Sequence, residues 1–316
     1  MNRRALLETG LAASSLSLLA ANSAPTKVID AAVHFYDPTR PQGVPWPRTN
    51  TPNLYLPTYP DRYLAAIAPF KVDGVIAIEA SPWLEDNLWL LNVADKNPLV
   101  RAVVGHIQPG HPDFSSALKR FSKHPLFRGI RIGGGLVPSV LAQPAMMADL
   151  KLLSDLDLHL DILVNEPPFQ PVAELASRLP ELRIIIGHLP LDAPKNAVAR
   201  LNFVKGLAAC GAQSRVFAKV SGVVRHVNDR VSTDASDYKP GLDQLWDIFG
   251  SDRVVYASNW PASDMTAPYP VVHKIALDYV SSRGAAAQKY LLFIVPLKCD
   301  LFCTKCKAKT ESRTTK

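Results

Sequence analysis

Cysteine is scarce in the 316-residue chain, with four in all, and that scarcity excludes a disulfide framework. Cys210 stands alone in the body, while Cys299, Cys303 and Cys306 crowd the last eighteen residues. Their CxxxCxxC spacing falls one ligand short of a structural zinc site, because no fourth Cys or His follows. Charge is sparse as well. Charged residues are 20% of the chain, and most of the net +7 sits at the ends, +1 over residues 1–24 and +4 over 294–316, leaving about +2 for the body. A basic face for nucleic acid needs clustered Lys and Arg in the folded body, so no nucleic-acid partner is expected. Beyond the first 25 residues no apolar run is long enough to span a bilayer. A phosphate-cradling GxGxxG is also missing: HFYDPTRPQG follows the first β-like run, which counts against a dinucleotide-binding open sheet. The glycines of IGGG (132–135) are too compact for that fingerprint and read as a mobile loop.

What is present begins with MNRRALLETGLAASSLSLLAANSAPT. Arg3 and Arg4 precede a mild apolar stretch from Leu11 to Ala21, and small residues run from Ala21 to Ala24, where a signal peptidase cuts. Residues 1–24 read as a twin-arginine-like export signal, which places the mature chain in the periplasm and off the membrane.

From Lys27 to Tyr290, short β-branched runs alternate with longer amphipathic stretches, the pattern of βα units around a parallel sheet. Eight such runs occur, at 27–33, 74–80, 100–107, 128–132, 158–164, 182–188, 216–222 and 253–259. Helical spacing fills 60–69, 86–97, 112–124, 145–156, 171–179, 194–210, 241–249 and 269–283. Eight parallel strands close a barrel, so a single-domain α/β fold, a (β/α)8 TIM barrel over 25–293, is expected. The Pro-rich segment from Pro38 to Pro60 is long for a βα loop and is expected to cover the functional face.

That face lies at the carboxyl ends of the strands. The ends carry His34, Glu79 with Ser81, His106, Arg131, Asp161 with Asn165 and Glu166, His188, Lys219 with Ser221, and Asn259. A structural barrel has no use for so many titratable groups there, since burying each costs several kcal/mol unless it is paired. An enzyme acting on a small molecule fits better. His188, in IIIGHLP, follows a buried run directly and reads as functional, whereas His106 reads as a hydrogen-bonded structural residue. Arg131 either pairs with Asp161 or Glu79, or holds a carboxylate or carbonyl oxygen through its two-pronged guanidinium. Lys219 either binds substrate oxygen or serves as an ion-pair partner.

The ordered segments IDAAVHFYDP, GVIAIEASPWLEDN, FRGIRIG, LPELRIIIGHLP, FAKVSG and FGSDRVVYASNWPASD resemble the second amidohydrolase family, TIM-barrel hydrolases predicted to use a metal, over about residues 27–290. The family includes sugar-lactone and pyrone-dicarboxylate lactonases. The resemblance implies hydrolysis of a small carbonyl compound, most plausibly a lactone of a sugar acid or related carboxylic acid. Its alternatives are a decarboxylase of the same superfamily and a non-catalytic ligand-binding barrel that has lost its metal site. It implies catalytic roles for His34, His188 and the residue at Asn259, and substrate binding by Arg131, Lys219, Glu79 and Asp161. Two departures bear on the metal. The family opens with Asp-x-His-x-His, and here Asp30, Ala32 and His34 stand in that pattern; its last strand ends in Asp-Trp-Pro, and here it is Asn259-Trp260-Pro261. His34 and His188 remain as metal ligands, fewer than the three of a catalytic zinc, so zinc is expected to bind weakly unless Glu79 or Asp264 substitutes. After Phe293 the family pattern ends, and residues 294–316 read as an atypical, disordered tail.

Overall fold

The eight β-branched runs form eight strands in a computed structural model that describes residues 28–68, 70–164, 169–188, 194, 196–227 and 230–284. They are β1 (Ile29–Val33), β2 (Gly74–Ile78), β3 (Val100–Gly105), β4 (Phe127–Gly133), β5 (His159–Leu163), β6 (Ile184–Gly187), β7 (Val216–Val220) and, after a two-stranded ribbon of β8 (His226–Val227) and β9 (Arg230–Val231), β10 (Val254–Tyr256). The sheet order β1-β2-β3-β4-β5-β6-β7-β10 follows the chain, and every pairing in it is parallel. A βα repeat dictates this order, because each helical return lays the next strand beside the last with the same polarity.

The seam between β10 and β1 is closed just beyond the regular strands. Val33 bridges Trp260 in parallel, Asn259 N–H donates to Ala32 O at 3.0 Å, and His34 N–H donates to Trp260 O at 2.9 Å. The departures from the family pattern, Ala32 and Asn259, therefore sit at the joint that closes the barrel. Inside it, Ile29, Ile76, Ile78, Ala102, Val104, Ile185, Val255 and Ala257 form one apolar cluster, and the other strand faces pack against the surrounding helices in a larger one.

Helices α1 (Pro60–Ala66), α2 (Asp86–Asp95) and α3 (Phe114–Phe121) follow the first three strands. After β4 the structure corrects one expectation. IGGG forms no open loop: β4 runs to Gly133, and Gly134–Leu136 is a 3-10 turn leading into α4 (Val137–Ala142). Pro144 then forces Gln143 out of helical geometry, to φ −115° and ψ 111°, so the apolar stretch breaks into α4 and α5 (Pro144–Asp155). The remaining helices are α6 (Phe169–Arg178), α7 (Ala197–Gly211), α8 (Lys239–Phe249) and α9 (Tyr269–Ser282). Among the described residues no single helix is long and apolar enough to cross a membrane. The expected export signal (1–24), Asn165, Glu166 and the tail (294–316) lie outside the described residues.

Strict alternation along the first strand places Asp30 with His34, and the structure corrects this too. The pairing register shifts between Asp30 and Val33, and the Asp30 carboxylate accepts from Ser258 N–H at 2.8 Å and from the Tyr63 hydroxyl at 3.0 Å, away from the barrel mouth. Burial pushes its pKa up to about 6, against the hydrogen bonds from Ser258, Ala32 and Tyr63 that lower it. A pKa raised from 3.8 in the unfolded chain means the stabilising contribution is full below about pH 4 and is lost as pH rises to about 6. The shift corresponds to about 3 kcal/mol. Relative to Asp30→Asn, the native protein should therefore lose stability between pH 4 and 6 and stay level above that. Urea unfolding of both proteins across this range measures the difference, and parallel curves would mean that Asp30 does not titrate in this way.

Candidate active site

At the carboxyl ends of the strands lies a cavity of about 560 Å³. His34, Glu79, His106, Arg131, His188 and Asn259 line it, with Trp46, Pro82, Ile132, Leu163 and Ala262 among its apolar walls. Five of the six polar residues follow a barrel strand, where the sheet stops and a side chain can turn into the mouth, and Arg131 lies inside β4 two residues before its end. Trp46 comes from the Pro-rich segment after β1, so that segment does reach over the site as its length suggested. The indole stands edge-on to His34, with ring centroids 5.7 Å apart.

The three histidines are each fixed through Nδ1. His34 Nδ1 lies 3.2 Å from Ile78 O and 3.0 Å from Glu79 O, and its Nε2 is 3.2 Å from Asn259 Oδ1. His106 Nδ1 lies 3.1 Å from Arg131 O. His188 N–H donates to Ser221 Oγ at 3.0 Å, and the same oxygen is 3.1 Å from His188 Nδ1. Burial, together with the nearby Arg131 charge, pushes His34 down to about 4 and His188 to about 3. Burial lowers His106 as well, against its hydrogen bond to Arg131 O. All three rings are therefore neutral near pH 7. Glu79 moves the other way: burial raises it to about 7, partly opposed by Arg131.

Under the cavity sits a charged cluster. Arg131 and Asp161 are register partners on β4 and β5, and Arg131 Nε–H donates to Asp161 Oδ1 at 3.2 Å. Lys219 on β7 donates to the other carboxylate oxygen, Oδ2. All three side chains are buried. Burial alone would raise Asp161, but the Arg131 and Lys219 charges outweigh it and hold the carboxyl well below the usual range. Arg131 keeps one nitrogen, Nη2, buried without a hydrogen-bond partner among the described residues.

The structure thus brings His34, Glu79, Arg131, His188 and Asn259 to one cavity, and sets Asp161 and Lys219 beneath it as ion-pair partners of the pocket floor. Of the two readings of Arg131, the ion pair with Asp161 is present, and the residue also lines the cavity. Asp264 does not join: it lies in the 3-10 turn Ala262–Met265, under the influence of Arg62. Backbone strain gathers at the same place. Of three non-glycine residues with left-handed φ among those described, two are His188 (φ 53°) and Asn259 (φ 62°). Such conformations cost ~1–3 kcal/mol and persist where the surroundings over-determine them. Sequence reasoning passed over Ser221 and Trp46 as site residues and read His106 as structural alone. The one available signal for Ser221 was its place at the end of the seventh run, two residues after Lys219.

The sequence model of the amidohydrolase family matches residues 29–283. The chain belongs to the amidohydrolase family. Among curated proteins it is 26% identical over 250 residues to an L-fucono-1,5-lactonase of Burkholderia ambifaria, covering 76% of this chain and 82% of that one. A solved amidohydrolase from Burkholderia multivorans superposes with a TM-score of 0.76 at 22% identity with HEPES bound, over 87% of this chain and 99% of that one. The same protein in a second crystal form, with zinc bound, gives 0.75 at 21% identity over the same shares. A probable 2-pyrone-4,6-dicarboxylic acid hydrolase from Acinetobacter baumannii, with citric acid bound, gives 0.68 at 15% identity, over 87% and 99%. At these identities the solved structures bear on the fold.

Members of the amidohydrolase family are typically metal-dependent, so the donor set was tested against zinc. Among the described residues no group of three or more His, Cys, Asp or Glu is placed to hold a metal ion. His34 and His188 are the imidazole donors expected, but Ala32 offers a methyl group, Asn259 a neutral amide, and Asp161 is spent on two cations. Glu79 and His106 line the same cavity without completing such a group, so the set does not match the three protein ligands of a catalytic zinc.

Proposed function

We propose that this amidohydrolase hydrolyses a lactone of a sugar acid or a related carboxylic acid in the cavity above Arg131. The observation that carries the reading is the buried guanidinium, anchored by Asp161 yet retaining an unpartnered N–H group beside neutral histidines. A lactone carbonyl becomes an oxyanion when water attacks, and a preorganised cationic donor stabilises that charge far better than it stabilises the neutral ester. The floor carries two cations and one ionised carboxylate, so it favours a developing negative charge. Asn259 offers a donor and an acceptor to substrate, and cannot take a proton from water. Trp46 supplies an apolar face for a ring. The lactonase name of the Burkholderia ambifaria relative and the pyrone hydrolase name of the Acinetobacter neighbour point to the same bond type.

Turnover of a lactone panel tests this. Each hydrolysis releases a hydroxy acid and hence a proton, read with a pH indicator in weak buffer. The panel includes L-fucono-1,5-lactone, other aldonolactones and 2-pyrone-4,6-dicarboxylate. Acid release well above the uncatalysed rate from at least one sugar-acid lactone is expected. Carbon dioxide release from aromatic acids without lactone turnover would move the protein to the decarboxylases, and ligand binding without turnover of either class would make it a non-catalytic barrel.

A further inference from the structure

We infer that the cavity is polarised by its histidines, with His188 held by Ser221 as a hydrogen-bond donor to the carbonyl oxygen and His106 presenting the lone pair that accepts the proton of the attacking water. The proton step rests on the lactonase reading above; the tautomers rest on the hydrogen-bond geometry of the neutral rings.

A neutral imidazole carries one N–H and one lone pair, so the partner of one nitrogen decides what the other offers. His106 Nδ1 lies 3.1 Å from the main-chain oxygen of Arg131, which can only accept. Its proton is therefore on Nδ1, and Nε2 offers a lone pair to the cavity that His106 lines. At His188 the order is reversed. Ser221 Oγ already accepts the His188 main-chain N–H at 3.0 Å, and its own buried proton needs an acceptor. Nδ1 lies 3.1 Å away and provides one. With Nδ1 accepting, the ring proton sits on Nε2, and His188 offers a donor to the cavity. The left-handed main chain at His188, φ 53°, brings its N–H and its ring to the same hydroxyl, so both contacts depend on Ser221. His34 does not compete for the proton: two carbonyl oxygens at Nδ1 fix its N–H there, and the Asn259 side-chain amide, 3.2 Å from Nε2, occupies that lone pair once it is turned to present its NH2 group.

The reaction then balances without an added reagent. As the water oxygen bonds to the carbonyl carbon, its proton passes to His106 Nε2, and the carbonyl π pair moves onto oxygen beside His188 Nε2–H and Arg131. When the carbonyl re-forms, the ring C–O bond breaks, and the leaving alkoxide takes the proton back from His106. The product is the hydroxy acid. Ser221 is a positioning residue in this scheme, acting through His188, and His106 is a catalytic residue.

The test begins with nitrogen-15 NMR of the full chain labelled at histidine, near pH 7, with single His→Gln variants for assignment. The expected result is the Nδ1–H tautomer at His106 and the Nε2–H tautomer at His188. Either ring in the opposite tautomer overturns the inference, whether or not any lactone is turned over. The kinetic arm uses the best substrate of the panel. His106→Gln should lower kcat by ~100-fold or more, in line with the ~10²–10⁴ of a positioned proton-transfer group. Ser221→Ala should shift the His188 tautomer and lower kcat ~10-fold or more with KM little changed, and Ser221→Thr, which keeps the hydroxyl, should restore both. A folded His106→Gln protein with near-native kcat, or a Ser221→Ala protein with unchanged tautomer and rate, overturns it. If no lactone reacts, the lactonase reading fails while the NMR result still decides the tautomers.

Discussion

Replacing Asp161 by alanine is expected to cost about 3–5 kcal/mol of folding stability, the range for breaking a buried ion pair by removing one partner. The cost is high because the carboxylate is shared. It accepts from Arg131 Nε at 3.2 Å and from Lys219 Nζ, and all three side chains lie out of water. Without it, two cations face each other across the barrel interior with no counter-charge. The pKa gives the pH sign. A carboxyl held far below its unfolded value contributes stability that is present above about pH 4 and lost progressively in acid. The difference between native and Asp161→Ala proteins should therefore be largest at neutral pH and shrink towards pH 3. Guanidinium unfolding at pH 7 and at successive steps below pH 4 reads it directly. A loss under 1 kcal/mol at pH 7 would mean that the cluster is solvated or loosely held.

Most of the fold was readable because periodicity and chain order suffice for it. Each run such as GVIAI or RIIIG is a strand, since a parallel strand buried on both faces is a near-continuous apolar run. Closure follows from there being eight of them. The sequence failed where a local event changes which way a side chain faces. The register shift in β1 separates Asp30, bonded to Tyr63, from His34, and the short α4 before Pro144 went unnamed, although the helix expected over 145–156 is α5. At the site, reading the strand ends collected the cavity residues His34, Glu79, Arg131, His188 and Asn259. It could not tell which would line the cavity and which would lie beneath, because depth along a tilted strand is not a period. Asp161 and Lys219 are buried and lie outside the residues that line the cavity. Trp46 arrives from a loop whose path no pattern encodes. Ser221 matters because it lies 3.1 Å from a histidine thirty-three residues earlier in the chain.

Arg131→Met should lower kcat on the best lactone by ~10²–10³-fold, the range for removing one oxyanion donor, with a much smaller change in KM. The split follows from where the charge is. In the ground state the lactone oxygen carries only a partial charge and gains little from a guanidinium already paired to Asp161. In the transition state it carries nearly a full charge, which a cavity-lining guanidinium with one nitrogen still unpartnered among the described residues stabilises far more strongly. Methionine fills similar volume with an apolar chain, so packing is largely kept, and Asp161 retains Lys219 as its counter-charge. The variant should therefore unfold closer to the native protein than Asp161→Ala does, which separates loss of chemistry from loss of fold. Arg131→Lys keeps the charge but loses the fork that reaches Asp161 and the cavity together, so it should restore less than a tenth of the lost rate. If Arg131→Met raises KM and leaves kcat unchanged, Arg131 binds a substrate carboxylate rather than the reacting oxygen, and the oxyanion site has to be sought elsewhere along the strand ends.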